Sequence, residues 1–294
     1  MTMKIKNVCI LGAGTLGTRV ALQAALSHYK VRLYDINPKA LDTSKTTMES
    51  IVHQLAKSSG LEADSGLNAI QSIIFTDNPQ VAVQDADIIN ESVLENVKVK
   101  NEVWELFGQI APEKTIFTTN TSFLLPSMFA EISGRPDKFC ALHFHDVFYA
   151  KGVDIMPHPS TDPKLVPILE AFGRSLEQVP VVIQKENHGY LFNSMLGAVL
   201  STAGKLLANG VGTFEAIDKS YMVNFRVDMG PFAIMDSIGL DTVWHVTVNN
   251  NEEGSQAFAA LLKGMLDQGK AGVKTGAGFY TYPNPAFKQP EFLV

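Results

Sequence analysis

Residues 5–20 read IKNVCILGAGTLGTRV, and they decide the fold. Ile5 to Leu11 is a short apolar run rich in β-branched residues, which predicts a buried strand. Gly12, Gly14 and Gly17 then complete G-x-G-x-x-G, with Thr15 and Leu16 inside the loop and an apolar stripe of Leu16, Val20 and Leu22–Ala25 behind it. Gly12 permits a tight strand-to-helix turn, Gly14 lets a pyrophosphate approach the backbone, and Gly17 lets the helix pack closely on the strand. The helix N-terminus offers free N–H groups and a positive dipole end to phosphates. A second apolar strand, Val31–Tyr34, ends in Asp35, an acid placed to bond the adenosine ribose and to repel a 2′-phosphate. No Arg directly follows Asp35, so the pattern selects NAD over NADP. The competing reading is an ordinary glycine turn with a surface aspartate.

The rest of the chain extends this start. Helical periodicity runs from Asn37-Pro38 to about Lys57, and 60–66 reads as a polar break. Strands are expected at 73–75, 86–91, 115–118, 139–144 and 178–183, with helices at 97–110 and 162–174 between them. Alternating strands and helices predict an α/β fold, a Rossmann-type doubly wound and mostly parallel sheet. After Gln184 the pattern changes to helices: a long apolar one over 188–209, then stretches near 213–222, 231–238, 240–248 and 256–268. Two domains follow, 1–185 for NAD binding and 186–294 as an all-helical C-terminal domain. The apolar character of 188–209 points to a homodimer packed through the second domain.

Composition narrows the class. The 294 residues are 46% hydrophobic and 18% charged, with net charge −6, which argues against nucleic acid or an anionic membrane surface as partner. No apolar run reaches a membrane span, and MTMKIKNVCI leads straight into a strand rather than a signal peptide, so a cytoplasmic location is expected. Cys9 and Cys140 read as small buried hydrophobes, and no metal-ligand spacing of Cys and His stands out.

Six segments resemble the 3-hydroxyacyl-CoA dehydrogenase family: GAGTLG (12–17), ESVLENVKVKNEVWELF (91–107), TNTS (119–122), LHF (142–144), DMGPFAIMDSIGLDTV (228–243) and GKAGVKTGAGFYTY (269–282). The resemblance implies NAD-dependent interconversion of a secondary alcohol and a ketone, a helical domain that binds substrate and dimerises, and a place in fatty acid metabolism. It makes His143 the catalytic histidine. Imidazole titrates near the working pH and can take the hydroxyl proton as hydride leaves carbon. His145, two residues on, reads as a neighbour. In HFHDVFYAKGVDIM, Asp154 is nearest to the family's ring-orienting acid, but it is Asp instead of Glu and one residue closer. Asp146, in place of a family Asn, is the rival orienter. Ser122 and Asn193 match residues at the substrate oxygen, and Ser122 also lies near the nicotinamide. Asn193 reads as mid-helix, where an amide needs a partner. Glu95 and Lys100 match residues near the nicotinamide ribose, and Lys274 a C-terminal cofactor contact. Without the resemblance all three read as solvated charges. Arg135, Lys138 and His158 read as surface residues.

The substrate is a small molecule, a 3-hydroxyacyl-CoA or a CoA-free hydroxy or keto acid such as a diketo ester, sugar acid or carnitine. Residues 45–70 carry Lys45 and Lys57 but no basic cluster for CoA, and DIMPHPST (154–161) resembles the sugar-acid branch. Crystallin-like relatives supply a third reading, NADH binding without turnover.

Overall fold

The computed structural model describes residues 4–249 and 254–294. The chain divides into two compact units, Met1–Leu191 and Phe192–Val294. The first runs β1 (Asn7–Leu11), α1 (Thr15–Leu26), β2 (Lys30–Tyr34), α2 (Pro38–Ser58), α3 (Ala63–Ser72), β3 (Ile74–Thr76), α4 (Pro79–Val83), β4 (Ile88–Glu91), α5 (Val97–Ile110), β5 (Ile116–Thr119), α6 (Ser127–Ala130), β6 (Phe139–Phe144), β7 (Gly152–Pro157), α7 (Leu165–Ser175) and β8 (Val179–Val182). One eight-stranded sheet has the order β3-β2-β1-β4-β5-β6-β7-β8. Neighbours are parallel except β6 and β7, which pair antiparallel. The order reverses beside β1, between β1 and β4, where open α/β sheets place their ligand crevice.

The central strands β1, β4, β5 and β6 are buried on both faces, and β1 and β6 are apolar at nearly every position. Val8 and Ile10 of β1 join Leu142, Phe144 and Ile155 in one cluster. Cys9 and Leu11 join Trp104, Phe117 and Phe139 in the other. Trp104 anchors the second face, with ring centroids 5.2 Å from Phe117 and 4.8 Å from Phe139. Burial pushes the Cys9 and Cys140 thiols far above their ordinary pKa, so both are inert core groups. Asparagine sets three helix starts: Asn37, Asn78 and Asn96 accept backbone N–H bonds at the heads of α2, α4 and α5.

Four elements of this unit are absent from the sequence reading: α3, β7 and the short helices α4 and α6. The expected polar break at 60–66 runs into helix α3. Its buried face is carried by Gly66 and Ile70, and a Cβ on Gly66 would stand 2.5 Å from Val52 Cγ1. A glycine marks the closest approach of α3 to α2, so apolar periodicity fails to report it. The loop expected after β6 holds strand β7, disguised by Asp154 at its centre and Pro157 at its end.

The second unit contains α8 (Phe192–Ala208), α9 (Phe214–Phe225), α10 (Pro231–Ile238), α11 (Leu240–Val248) and α12 (Ser255–Asp267), then short 3₁₀ turns. Two buried acids organise it. Asp218 of α9 caps α10, accepting from the N–H groups of Phe232 (2.8 Å) and Ala233 (3.1 Å) and from the Tyr280 hydroxyl (2.9 Å). Asp236 of α10 accepts from the N–H groups of Phe279 and Tyr280, both at 2.9 Å, and from the Tyr282 hydroxyl at 3.1 Å. The DMGPFAIMD and GAGFYTY segments therefore meet each other within this unit.

Candidate active site

The glycine turn between β1 and α1 is built by close contact. Gly12 has φ +100°, and a Cβ there would lie 2.5 Å from the Ser92 carbonyl oxygen. A Cβ on Gly17 would lie 2.0 Å from the Gly12 carbonyl oxygen. Gly14 is the opposite case: no atom lies within 4 Å of where its Cβ would stand. That open cradle, with α1 beginning at Thr15 and no side chain capping it, fits a dinucleotide pyrophosphate. Leu16 packs from α1 onto the core. Asp35, at the end of β2, accepts from the Ala13 N–H at 2.8 Å and the Asn37 N–H at 2.9 Å. Its carboxylate is thereby fixed beside the loop, where a ribose diol would meet it.

A second group is seated at the ends of β4 and β5. Lys100 is 1% exposed and reaches 2.6 Å to Glu91, itself 0% exposed. Glu91 also accepts from the Val93 N–H at 2.8 Å and the Thr119 hydroxyl at 2.7 Å. Lys100 is thus a buried ion-pair partner and not the solvated charge that composition suggests. Its second acid is Glu95, 3.3 Å away and half-exposed. Glu95 accepts from the Thr121 hydroxyl and from the Phe123 N–H, at 3.3 Å. It therefore fixes the turn that presents Ser122, an exposed residue just past β5. Asn120 ties the same turn to β6, accepting from the Phe144 N–H at 2.8 Å and donating to the Ser92 hydroxyl at 2.9 Å. Glu91 and Asn120 were not among the sequence candidates. The signal for both is a polar residue on the C-terminal end of a buried parallel strand.

The third group lies on β6 and β7. The antiparallel register sets His143 opposite Asp154. Successive strand residues face opposite sides of a sheet, so His143 and His145 lie on one face, with Asp154 beside them. His143 Nδ1 is 3.2 Å from Asp154 Oδ2, and His145 Nε2 is 3.0 Å from the same oxygen. The His143 ring stacks on Tyr190 at 4.8 Å and 24°, and the Tyr190 hydroxyl donates to the Thr121 carbonyl at 2.8 Å. His143 and Asp154 are 3% and 2% exposed. Burial pushes His143 below the ordinary imidazole range, against the opposing pull of Asp154. Burial alone would raise Asp154, but its bonds from His143 and His145 hold it below the usual carboxylate range. The product is a neutral imidazole beside an ionised acid. With Nδ1–H facing Asp154, the lone pair sits on Nε2.

Asp146, the rival acid, faces elsewhere. It pairs with Arg19 and accepts from the N–H groups of Phe148 (3.3 Å) and Tyr149 (3.0 Å), closing the turn after β6. Of the two aspartates left open by the sequence, Asp154 is the one at the His143 ring.

Asn193 and Lys274 belong to the second unit. Asn193 is the second residue of α8, half-buried in its first turn, where the sequence reading puts it mid-helix. The residues 188–191 expected to begin that helix form the turn before it. Lys274 lies in a 3₁₀ turn and bonds both oxygens of Asp241, at 2.6 and 2.7 Å. Two residues read as surface ones are structural. Arg135 donates to the Gly108 and Ala111 carbonyls at 3.0 and 2.6 Å and covers the Phe117 ring at 4.9 Å, so it caps α5. His158 is 7% exposed and donates from Nε2 to the Pro136 carbonyl at 2.9 Å.

Residues 7–187 match the family described as 3-hydroxyacyl-CoA dehydrogenase, NAD binding domain, and 189–282 match its C-terminal domain. The chain is 32% identical over 290 residues to human mitochondrial hydroxyacyl-coenzyme A dehydrogenase, covering 95% of this chain and 91% of that protein. It is 37% identical to a diketoreductase structure whose subject is dual catalysis of dicarbonyl compounds, with TM-score 0.91 over 95% of this chain and all (100%) of the other. The (S)-3-hydroxybutyryl-CoA dehydrogenase of Ralstonia eutropha is 27% identical, with TM-score 0.83 over 96% and 100% of the two chains. No helix among the described residues is long and apolar enough to cross a membrane. The chain belongs to the 3-hydroxyacyl-CoA dehydrogenase family, NAD-dependent oxidoreductases that act on a secondary alcohol.

Proposed function

We propose that the protein interconverts a 3-hydroxyacyl-CoA and its 3-ketoacyl-CoA, with His143 as the base. The cross-strand pair His143–Asp154 carries this reading: one buried ring has its tautomer set by an ionised acid and its Nε2 free to exchange a proton. Bound NAD supplies the hydride acceptor. During oxidation His143 Nε2 takes the hydroxyl proton, and Asp154 holds Nδ1–H and steadies the imidazolium; during reduction the proton returns. Ser122 and Asn193 position the carbinol oxygen. Gly12, Gly14, Thr15, Leu16 and Gly17 receive the pyrophosphate, Asp35 the adenosine ribose, and Glu95 and Lys274 the remainder of the cofactor, while the buried Lys100 acts through Glu95, which it holds in place. Residues 1–185 form the NAD-binding domain and 186–294 the substrate-binding and dimerisation domain.

A CoA-free dicarbonyl or hydroxy acid is the second reading, favoured by the diketoreductase likeness and by the loop after His143, where Asp146 is bound to Arg19. Steady-state assays following NADH absorbance with acetoacetyl-CoA and with free diketo acids separate the two. A preference of about two orders of magnitude in kcat/KM, near 2.7 kcal/mol, for acetoacetyl-CoA supports the first; the reverse preference overturns it.

The homodimer has a candidate surface in a groove of about 720 Å³ on α8 and α9, lined by residues including Val199, Leu206, Ile217, Tyr221 and Phe225. Phe225 in the groove is 68% exposed, and Val223, two residues before it on α9, is 54% exposed. A mass in solution that stays monomeric at every concentration rejects the dimer. A cytoplasmic location is consistent with two free, buried thiols.

A further inference from the structure

His145 has no task in the mechanism above, yet it is placed with care. A Cβ on Gly152 would stand 3.1 Å from its Cδ2, so the bare backbone at the start of β7 leaves room for the ring. His145 is 14% exposed at the side chain, against 4% for His143 and 3% for Asp154. It forms the outer edge of the cluster. The three ligand atoms lie within 4.8 Å of one another, the one such grouping of His, Cys, Asp or Glu among the described residues.

We propose that His143, His145 and Asp154 chelate a divalent transition-metal ion of the zinc type, and that the bound ion silences the dehydrogenase. The donor set is two imidazoles and one carboxylate, which selects such ions over magnesium and calcium. Zinc bonds of about 2.0–2.1 Å at tetrahedral angles separate neighbouring ligand atoms by roughly 3.3 Å. The separations of 3.2 and 3.0 Å from Asp154 Oδ2 to the two ring nitrogens are already of that size. An ion can therefore replace the two bridging protons, with the two ring nitrogens, within 4.8 Å of one another, drawing in on it by side-chain rotation. His145 offers the path in, and water completes the coordination.

The chemistry of silencing follows from the tautomer. His143 now carries its proton on Nδ1 and its lone pair on Nε2. An ion on Nδ1 takes that nitrogen's lone pair, so a neutral ring must carry its proton on Nε2. His145 changes likewise, from Nε2–H to Nδ1–H. Both protons stay on their rings, and the base loses the lone pair that accepts the hydroxyl proton. This consequence rests on His143 being the base; binding of the ion does not.

The test uses the full protein, stripped with a chelator and titrated with zinc chloride by calorimetry, with magnesium chloride as control. The expected result is one zinc site per chain and no magnesium site. His145→Phe, and His145→Gln as the milder change, should weaken zinc at least about 10- to 100-fold, the range for disturbing ligand support. Both should still bind NADH, which verifies the fold. Cobalt in place of zinc should show the visible bands of a four-coordinate ion, lost in both variants. Zinc should lower turnover of the parent protein and leave that of the His145 variants unchanged. No saturable zinc binding, or equal binding in folded His145 variants, overturns the site. Zinc bound through His145 without loss of turnover keeps the site and contradicts His143 as base.

Discussion

Two buried acids belong to the sheet, one on β4 and one on β7, and their partners differ. Glu91 ends β4 and faces Lys100; Asp154 lies in β7 and faces His143 and His145. The first pair is saturated and fixed by its bonds: Glu91 also holds Val93 and Thr119, and Lys100 reaches on to Glu95 and its turn. Imidazole exchanges a proton near neutrality, so the second group can change state while its acid stays in place. The contrast separates scaffold from chemistry. A buried acid with a lysine positions backbone, and a buried acid with an imidazole moves protons.

The comparison breaks first at Lys100. Lys100→Met leaves the buried Glu91 without its ion-pair partner, and should cost about 3–5 kcal/mol of stability in a denaturant titration. A loss below about 1 kcal/mol would mean that water reaches Glu91 and the pair is no scaffold.

The helical unit offers a third acid, Asp218, with only N–H groups and a hydroxyl for partners. Burial raises its pKa to about 6, from an ordinary 3.8. The folded state then binds the proton more tightly than the unfolded one. Its stabilising contribution is full below about pH 4 and is lost as pH rises towards 6. The whole span is about 3 kcal/mol at most. The stability difference between the parent and Asp218→Asn should therefore fall, in the parent's disfavour, between pH 4 and pH 6 and stay level above. A difference that rises over that range would contradict the assignment.

Asp154→Asn, assayed in chelator, tests the imidazole side. It removes the charge that steadies the imidazolium and puts an amide with a donor N–H where only an acceptor stood, so Nδ1–H is no longer fixed, and it should lower turnover about 10²-fold, near 2.7 kcal/mol, with NADH affinity kept. A fall in affinity instead of turnover would make Asp154 a cofactor residue. The smallest effect belongs to Asp146→Asn. Its pair with Arg19 is partly exposed, and the change should cost about 0–1 kcal/mol and leave turnover within about threefold.

Sequence reached the parts whose geometry is local. The glycine turn and Asp35 sit on one β-α-β unit, and the helical periodicity of α5 lies within its own segment, so its bounds Val97–Ile110 match the expected ones. Strand β6 is apolar through, and its bounds Phe139–Phe144 match as well. The misses are pairings between distant residues. β7 carries an acid at its centre because a histidine faces it from β6, and neither strand alone states this. Lys100 reads as solvated until the end of β4 is known to hold Glu91. His145 reads as a neighbour until the register brings Asp154 to it. Arg135 reads as a surface charge because its partners are the last carbonyls of α5.

His143→Ala bears most directly on whether proton transfer belongs to the imidazole of β6. Turnover, measured in chelator with the best substrate, should fall by about 10²–10⁴ while NADH affinity and thermal stability of the fold stay near the parent's. Turnover within about threefold of the parent would contradict the account.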